Sequence, residues 1–172
     1  MLLGKLPQFS LPVNFGMSHL IDFVVEIEPD SVPLVLLEDL ARRVMKGEGV
    51  AEGLLLTILT TDDETLQALN NQFLGVDAPT DVLSFPEVTE VPLGEGIAPS
   101  LGEIAISVPT AIRQASEQGH PLEDELSHLL THGILHLCGY EHERGGKEAG
   151  RMRAREEHYL GEITGHGTSD PK

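Results

Sequence analysis

Residues 54–73 read LLLTILTTDDETLQALNNQF. The first seven are apolar or β-branched, and the run is short enough to be a strand buried in a sheet. Thr61 and Glu64 follow with the spacing of a capping box, Thr61 at N-cap and Glu64 at N3. The helix this predicts runs to about Phe73, with Leu66 and Leu69 turned inward. A buried strand passing straight into a capped helix belongs to a fold that layers helices on a sheet.

The flanking segments repeat the pattern. Residues 20–28 (LIDFVVEIE) predict a strand. Residues 33–47 predict a helix with Pro33 at its start, Gly47 at its end, and Leu37, Leu40, Ala41 and Val44 on one face. Residues 81–85 (DVLSF) predict a third strand stopped by Pro86. Residues 87–100 (EVTEVPLGEGIAPS) read as a mobile surface loop. Residues 101–108 (LGEIAISV) predict a fourth strand with Ile104, Ile106 and Val108 on one side. One helix starts at Pro109 and ends at Gly119. The next starts at Pro121, carries Glu123, Asp124 and Glu125 in its first turn where the helix dipole favours them, and reaches about Cys138 before Gly139 stops it. A last helix covers 146–160. The expected fold class is α+β: a single domain with a small, mixed four-stranded sheet packed with about five helices.

Bulk composition narrows the possibilities. The chain has 172 residues, 40% of them hydrophobic, enough for one real core. No apolar run approaches the ~18 residues of a membrane span. One cysteine excludes an internal disulfide framework and fits a reducing, cytoplasmic compartment. Residues 1–18 are expected to be a disordered or mis-assigned extension, with Met17 an alternative to Met1 as the start. The metal-binding domain is expected over 19–161, and a flexible tail over 162–172.

The chemistry is concentrated in THGILHLCGYEHE, residues 131–143. His132 and His136, four apart on a helix, project from nearly one face. Two such imidazoles can reach one ion at about 2.0–2.1 Å. Gly139 permits a reversal after which His142 can supply a third nitrogen. Three neutral imidazoles leave one position open, as catalytic zinc sites do. The expected metal ligands are therefore His132, His136 and His142. The ion is Zn²⁺ or another divalent ion such as Ni²⁺, one per chain, because imidazole suits several. Gly133 stands where zinc peptidases of H-E-x-x-H pattern carry their glutamate base, which counts against a peptidase. His128, one turn earlier, fits an outer or surface role, and Cys138 fits a packed thiol. His19, His120, His158 and His166 lack ligand spacing and read as solvated or helix-end residues.

These residues resemble the YbeY family of bacterial rRNA maturation factors and single-strand endoribonucleases. The resemblance rests on HGILHLCGYEH (132–142), PTDVLSFP (79–86) and LGEIAIS (101–107), with QA (114–115) and EL (125–126), and spans about residues 20–160. It implies an α+β fold with a zinc-type ion on the three histidines. It further implies hydrolysis of single-stranded RNA in 16S rRNA 3′-end maturation and ribosome quality control. Small-subunit components and the GTPase Era are the implied partners. This sequence departs from the family pattern at Glu141 and Glu103, each a carboxylate one methylene longer than usual. It also has Leu74 where relatives commonly place an arginine, and Leu74 cannot clamp a phosphate.

The net charge of −17 opposes bulk attraction to RNA. Eight of the 11 cations are clustered, however: Arg42, Arg43 and Lys46 on the first helix, and Arg144, Lys147, Arg151, Arg153 and Arg155 after His142. They form either a phosphate-binding strip or a solvated face balanced by Glu156 and Glu157. Thr80, Asp81 and Ser84 are expected to line the groove. Asp81 orients a ligand histidine or caps its strand, and Asp81, Ser84 and Glu141 are the candidate catalytic groups beside the ion's water. That water, with its pKa lowered toward ~7, or an RNA 2′-OH is the expected nucleophile. The competing readings are a weakly catalytic or non-catalytic ribosome-assembly factor with a bound metal, and a metal-dependent peptidase-like hydrolase.

Overall fold

A computed structural model describes residues 18–27, 31–87, 98–141 and 146–161. The expected extension apart from Ser18, residues 88–97 of the expected loop, and the tail 162–172 lie outside those residues. In chain order the elements are β1 (Leu20–Val25), α1 (Leu34–Gly47), β2 (Leu55–Thr61), α2 (Asp63–Leu74), β3 (Val82–Pro86), β4 (Ser100–Ser107), α3 (Val108–Gln118), α4 (Leu122–Leu137) and α5 (Lys147–Gly161). The strands form one sheet in the order β1-β2-β4-β3. β1, β2 and β4 are mutually parallel, and β3 closes the edge antiparallel to β4. The expected α+β domain, with its mixed four-stranded sheet and five helices, is present.

The sheet buries both faces. Leu56 and Ile58 of β2 and Ile104 and Ile106 of β4 pack with α1 and α4 in the main core. On the opposite face Leu83 and Ala105 meet Leu66 of α2, with Leu59, Leu69 and Phe85 around them. β4 is thus buried on both sides, and the one-sided alternation expected for it is corrected. Sandwiched strands read as near-continuous apolar runs rather than as an alternation.

Several boundaries differ from expectation for local reasons. β1 ends at Val25, not 28; its last partner in β2 is Thr60. Thr61 is the final residue of β2, and its hydroxyl donates to Glu26 at 2.8 Å. The α2 N-cap is therefore Asp62, whose carboxylate accepts from the Thr65 N–H at 2.8 Å. Ser100, expected in a loop, begins β4 opposite Leu55. Val108 leaves the strand for α3, capped by Ser107, whose hydroxyl accepts from Thr110 N–H at 3.2 Å. Pro86 is the last residue of β3 instead of standing just beyond it, a place proline tolerates because β3 is an edge strand.

α4 is the central helix, packed against α1, α3, α5, β3 and β4. Its approach to the sheet depends on Gly133. A Cβ there would stand 3.0 Å from two Ile104 carbons and 3.1 Å from Ser84 Oγ. Gly133→Ala is expected to lower stability by about 1–2 kcal/mol, overpacking outweighing alanine's better helix propensity. Urea denaturation checks this; an unchanged midpoint would mean that the helix moves off the sheet at little cost. The same crowding bears on the H-E-x-x-H comparison, because a side chain at 133 points into the sheet. No helix among the described residues is long and apolar enough to cross a membrane.

Candidate functional site

α4 lies with one face beside β3, and the two enclose a groove of about 510 Å³. Thr80, Asp81 and Ser84 line one wall, His132 and His136 another, and Glu141 the end. Leu74, 62% exposed, stands among the lining residues. The sequence expectation that 80–84 and the histidines share a groove thus agrees with the fold. No lysine or arginine is among the described residues that line it.

The two histidines converge. Their Nε2 atoms are 3.0 Å apart and their ring centroids 4.6 Å. Each Nδ1 is engaged on its far side. His132 Nδ1 donates to Glu156 Oε1 at 2.7 Å, and His136 Nδ1 donates to the Tyr140 carbonyl at 2.8 Å. An acceptor on Nδ1 assigns the neutral ring's proton to Nδ1 and leaves Nε2 with a lone pair. Both Nε2 atoms face one point, an arrangement that suits a shared cation. Two nitrogens on a tetrahedral zinc stand about 3.3 Å apart, close to the spacing here. The ring orientations and the partners on Nδ1 are those of metal-ligating imidazoles, and the donor set fits a divalent ion.

The expected third ligand, His142, lies outside the described residues. Among the described residues no group of three or more His, Cys, Asp or Glu side chains is arranged around one ion position. His128 is exposed, with its ring 6.3 Å from that of His132.

The group orienting a histidine is Glu156, not Asp81. Asp81 accepts from the Val82 N–H at 2.8 Å and from Gln114 Nε2 at 3.0 Å, so it caps β3 and ties it to α3. Ser84 Oγ donates to the Gly133 carbonyl at 3.2 Å, bracing α4 on the strand. Burial pushes the Glu156 carboxyl up, but the His132 hydrogen bond and the nearby histidines outweigh it and hold it below the ordinary range. Glu156 therefore stays ionised beside the imidazole.

A second cluster lies behind the site. Glu48, at the C-cap of α1 with its side chain 7% exposed, accepts from Tyr140 Oη at 2.8 Å, Arg155 Nε at 2.7 Å and Tyr159 Oη at 2.8 Å. The Arg155 guanidinium also donates to Tyr159 Oη at 2.5 Å and lies over that ring, 4.9 Å from its centroid. Burial raises the Glu48 carboxyl, yet the three hydrogen bonds and the Arg155 charge leave it below its ordinary value. Burial and Glu48 push the Tyr159 phenol to about 12, and burial and the Glu48 charge push the Cys138 thiol to about 11. Cys138 is thus a poor nucleophile, consistent with a packed thiol.

These contacts revise the expected basic strip. Arg155 serves Glu48, Arg151 pairs with Glu148 at 3.3 Å, and Arg42 pairs with Glu38 at 2.6 Å and donates to the His19 carbonyl. Arg144 lies outside the described residues. His19 is buried, not solvated, and its Nε2 meets the Val50 carbonyl at 2.9 Å. His120 meets Glu125 at 3.0 Å beside the start of α4, while His158 is exposed and His166 lies outside the described residues.

Comparison with known proteins agrees with this architecture. A family model described as endoribonuclease YbeY matches residues 26–164. The endoribonuclease YbeY of Roseiflexus castenholzii is 43% identical over 144 residues, covering 81% of this chain and 91% of that protein. Its counterpart in Pelotomaculum thermopropionicum is 44% identical over 129 residues, covering 74% and 84%. Among solved structures, the solution structure of TM1509 from Thermotoga maritima superposes with a TM-score of 0.56 at 27% identity. It covers 89% of this chain and 97% of that one.

Proposed function

The chain belongs to the YbeY endoribonuclease family, and on that premise we propose that it is a metal-dependent hydrolase of single-stranded RNA whose ion binds in the groove between α4 and β3. The observation that carries the reading is the pair of Nε2 atoms 3.0 Å apart at the groove wall, each ring held from behind by an acceptor on Nδ1. His132 and His136 would hold the ion, with His142 as the third ligand, and Zn²⁺ or Ni²⁺ suits such a set. When bound, the ion supplies Lewis acidity toward a phosphoryl oxygen and lowers the pKa of water beside it.

The chain's own residues do the rest. Glu156 and the Tyr140 carbonyl, as acceptors on Nδ1, fix both imidazoles in direction with Nε2 turned to the groove. Gly133 and Ser84 set how close α4 lies to β3, and so the width available to a strand of RNA. The described lining offers carboxylates at Asp81 and Glu141 and no basic side chain, so attraction for a phosphate depends on the ion. A base-paired duplex is wide and stiff, whereas a single strand can lay one phosphate into a groove of this size. The cellular role we propose is cytoplasmic: 16S rRNA 3′-end maturation and ribosome quality control, with small-subunit components and an Era-like GTPase as partners. Family membership supports that role.

The test is cleavage of single-stranded and duplex RNA of one sequence by purified protein, with and without a chelator. Single-strand cleavage that chelation abolishes and zinc restores is expected. Cleavage indifferent to chelation, in a preparation shown free of metal, would overturn the reading. Leu74→Arg belongs in the same assay, because residue 74 lines the groove. A cation there is expected to raise cleavage severalfold by adding the phosphate contact the lining lacks.

A further inference from the structure

Residue 140 is held at three points. Its N–H donates to the Leu135 carbonyl at 3.1 Å, its carbonyl accepts from His136 Nδ1 at 2.8 Å, and its hydroxyl donates to Glu48 Oε2 at 2.8 Å. The first bond belongs to the end of α4. The third is long-range, reaching from the turn after α4 to the C-cap of α1, 92 residues away in sequence. Gly139, with φ 92°, lies between helix and residue 140, so the turn has a hinge that α-helical geometry does not fix. Something beyond the helix must set where the Tyr140 carbonyl points.

We infer that Glu48 is a positioning residue for His136: by anchoring the Tyr140 hydroxyl it holds the Tyr140 carbonyl on Nδ1, and so keeps Nε2 deprotonated and turned toward His132. Arg155 belongs to the same device. It binds the other Glu48 oxygen, and the next residue on α5, Glu156, takes His132 Nδ1. Docking α5 on Glu48 therefore organises both imidazoles, one directly through Glu156 and one through Tyr140. A network this far behind a ligand acts on its tautomer and direction, not on the substrate, and such outer partners are commonly worth 10–100-fold in metal affinity.

The inference rests on the proposed ion site for its functional meaning, but its structural content can be read without the ion. The probes are Zn²⁺ affinity by chelator competition, and the ring ¹⁵N spectrum of His136 in metal-free protein, which reports its tautomer. Thermal melting of the metal-free protein checks folding. Tyr140→Phe deletes only the hydroxyl, so the ring still packs. It is expected to weaken zinc binding about tenfold and to populate the Nε2–H form of His136. Glu48→Ala is expected to do the same, and Glu48→Gln, which keeps an acceptor for the hydroxyl, to restore most of the affinity. A purely structural role predicts lower melting temperatures with an unchanged tautomer.

Folded Tyr140→Phe and Glu48→Ala proteins with zinc affinity within about twofold of the unaltered chain and an unchanged His136 spectrum would overturn the inference. If Tyr140→Phe does not fold, the Glu48→Ala and Glu48→Gln pair decides it. An unaltered chain that binds no zinc refutes the proposed ion site instead, and the tautomer measurement then decides this inference alone.

Discussion

Replacing His136 with alanine is expected to weaken zinc binding by more than about 100-fold and to bring RNA cleavage down to assay background. Loss of an outer partner already costs about 10–100-fold in affinity, and His136 would be a ligand itself. Its Nε2 is one of the two nitrogens that meet at 3.0 Å, and its removal strands the other. The fold should survive: His136 is only partly buried on the groove side of α4, and the residues that knit α4 into the core are Leu126, Leu130, Ile134 and Leu135. His128→Ala is the contrasting variant. Its ring is exposed and 6.3 Å from that of His132, so zinc binding should remain within a few-fold of the unaltered chain. Equilibrium dialysis with elemental analysis separates the two. One tightly held ion per chain in His136→Ala would refute the ligand assignment.

The helices of this fold were legible because their punctuation is local. Pro33, Gly47, Gly119 and Gly139 mark ends that a single stretch of sequence specifies. The misplaced boundaries arose where two local solutions compete. Thr61 and Asp62 can each cap α2, and the choice falls to Asp62 because Thr61 is used by β2 and its hydroxyl by Glu26. Ser100 sits in a Pro- and Gly-rich stretch and becomes strand only because β2 offers Leu55 as a partner. β4 is buried on both faces because α2 crosses beneath the sheet, which no alternation within LGEIAISV reveals.

The site divides in the same way. His132 and His136 were readable from helical spacing alone. Their partners were not, because nothing local couples His132 to Glu156 across 24 residues, or Tyr140 to Glu48 across 92. Asp81 was the nearer acid in the expected groove and therefore the natural candidate, but the N–H of Val82 and the amide of Gln114 occupy its oxygens. Arg155 looked like a surface cation for the same reason. Its partner Glu48 is an isolated acid at the end of another helix, and only packing of α5 on α1 brings them together. A signal did exist: Glu48 follows Gly47, and Gly47 is where the Tyr159 ring needs room that a Cβ would take.

The second large effect concerns that buried carboxylate. Glu48→Ala is expected to cost about 2–3 kcal/mol of folding stability at neutral pH, less than a fully buried ion pair because Arg155 is one-third exposed. The loss arises from stranding two phenols and a guanidinium, so it depends on the ionised carboxylate. Glu48 titrates below its ordinary value of 4.5 in the folded chain. The unfolded chain therefore takes up its proton first as the pH falls. The contribution of Glu48 is complete above the ordinary glutamate range, and it is lost as the pH drops through that range toward the folded value. The stability gap between the unaltered chain and Glu48→Ala should accordingly be widest at neutral pH and narrow steadily in acid. Urea denaturation of metal-free protein at a series of pH values measures this without interference from ion binding. A gap that stays constant into the acid range would mean that packing around the side chain, not its charge, holds α1 to α5. A gap that closes with acid would identify the carboxylate as the tie between the two helices, and hence between the end of α1 and the turn that carries Tyr140.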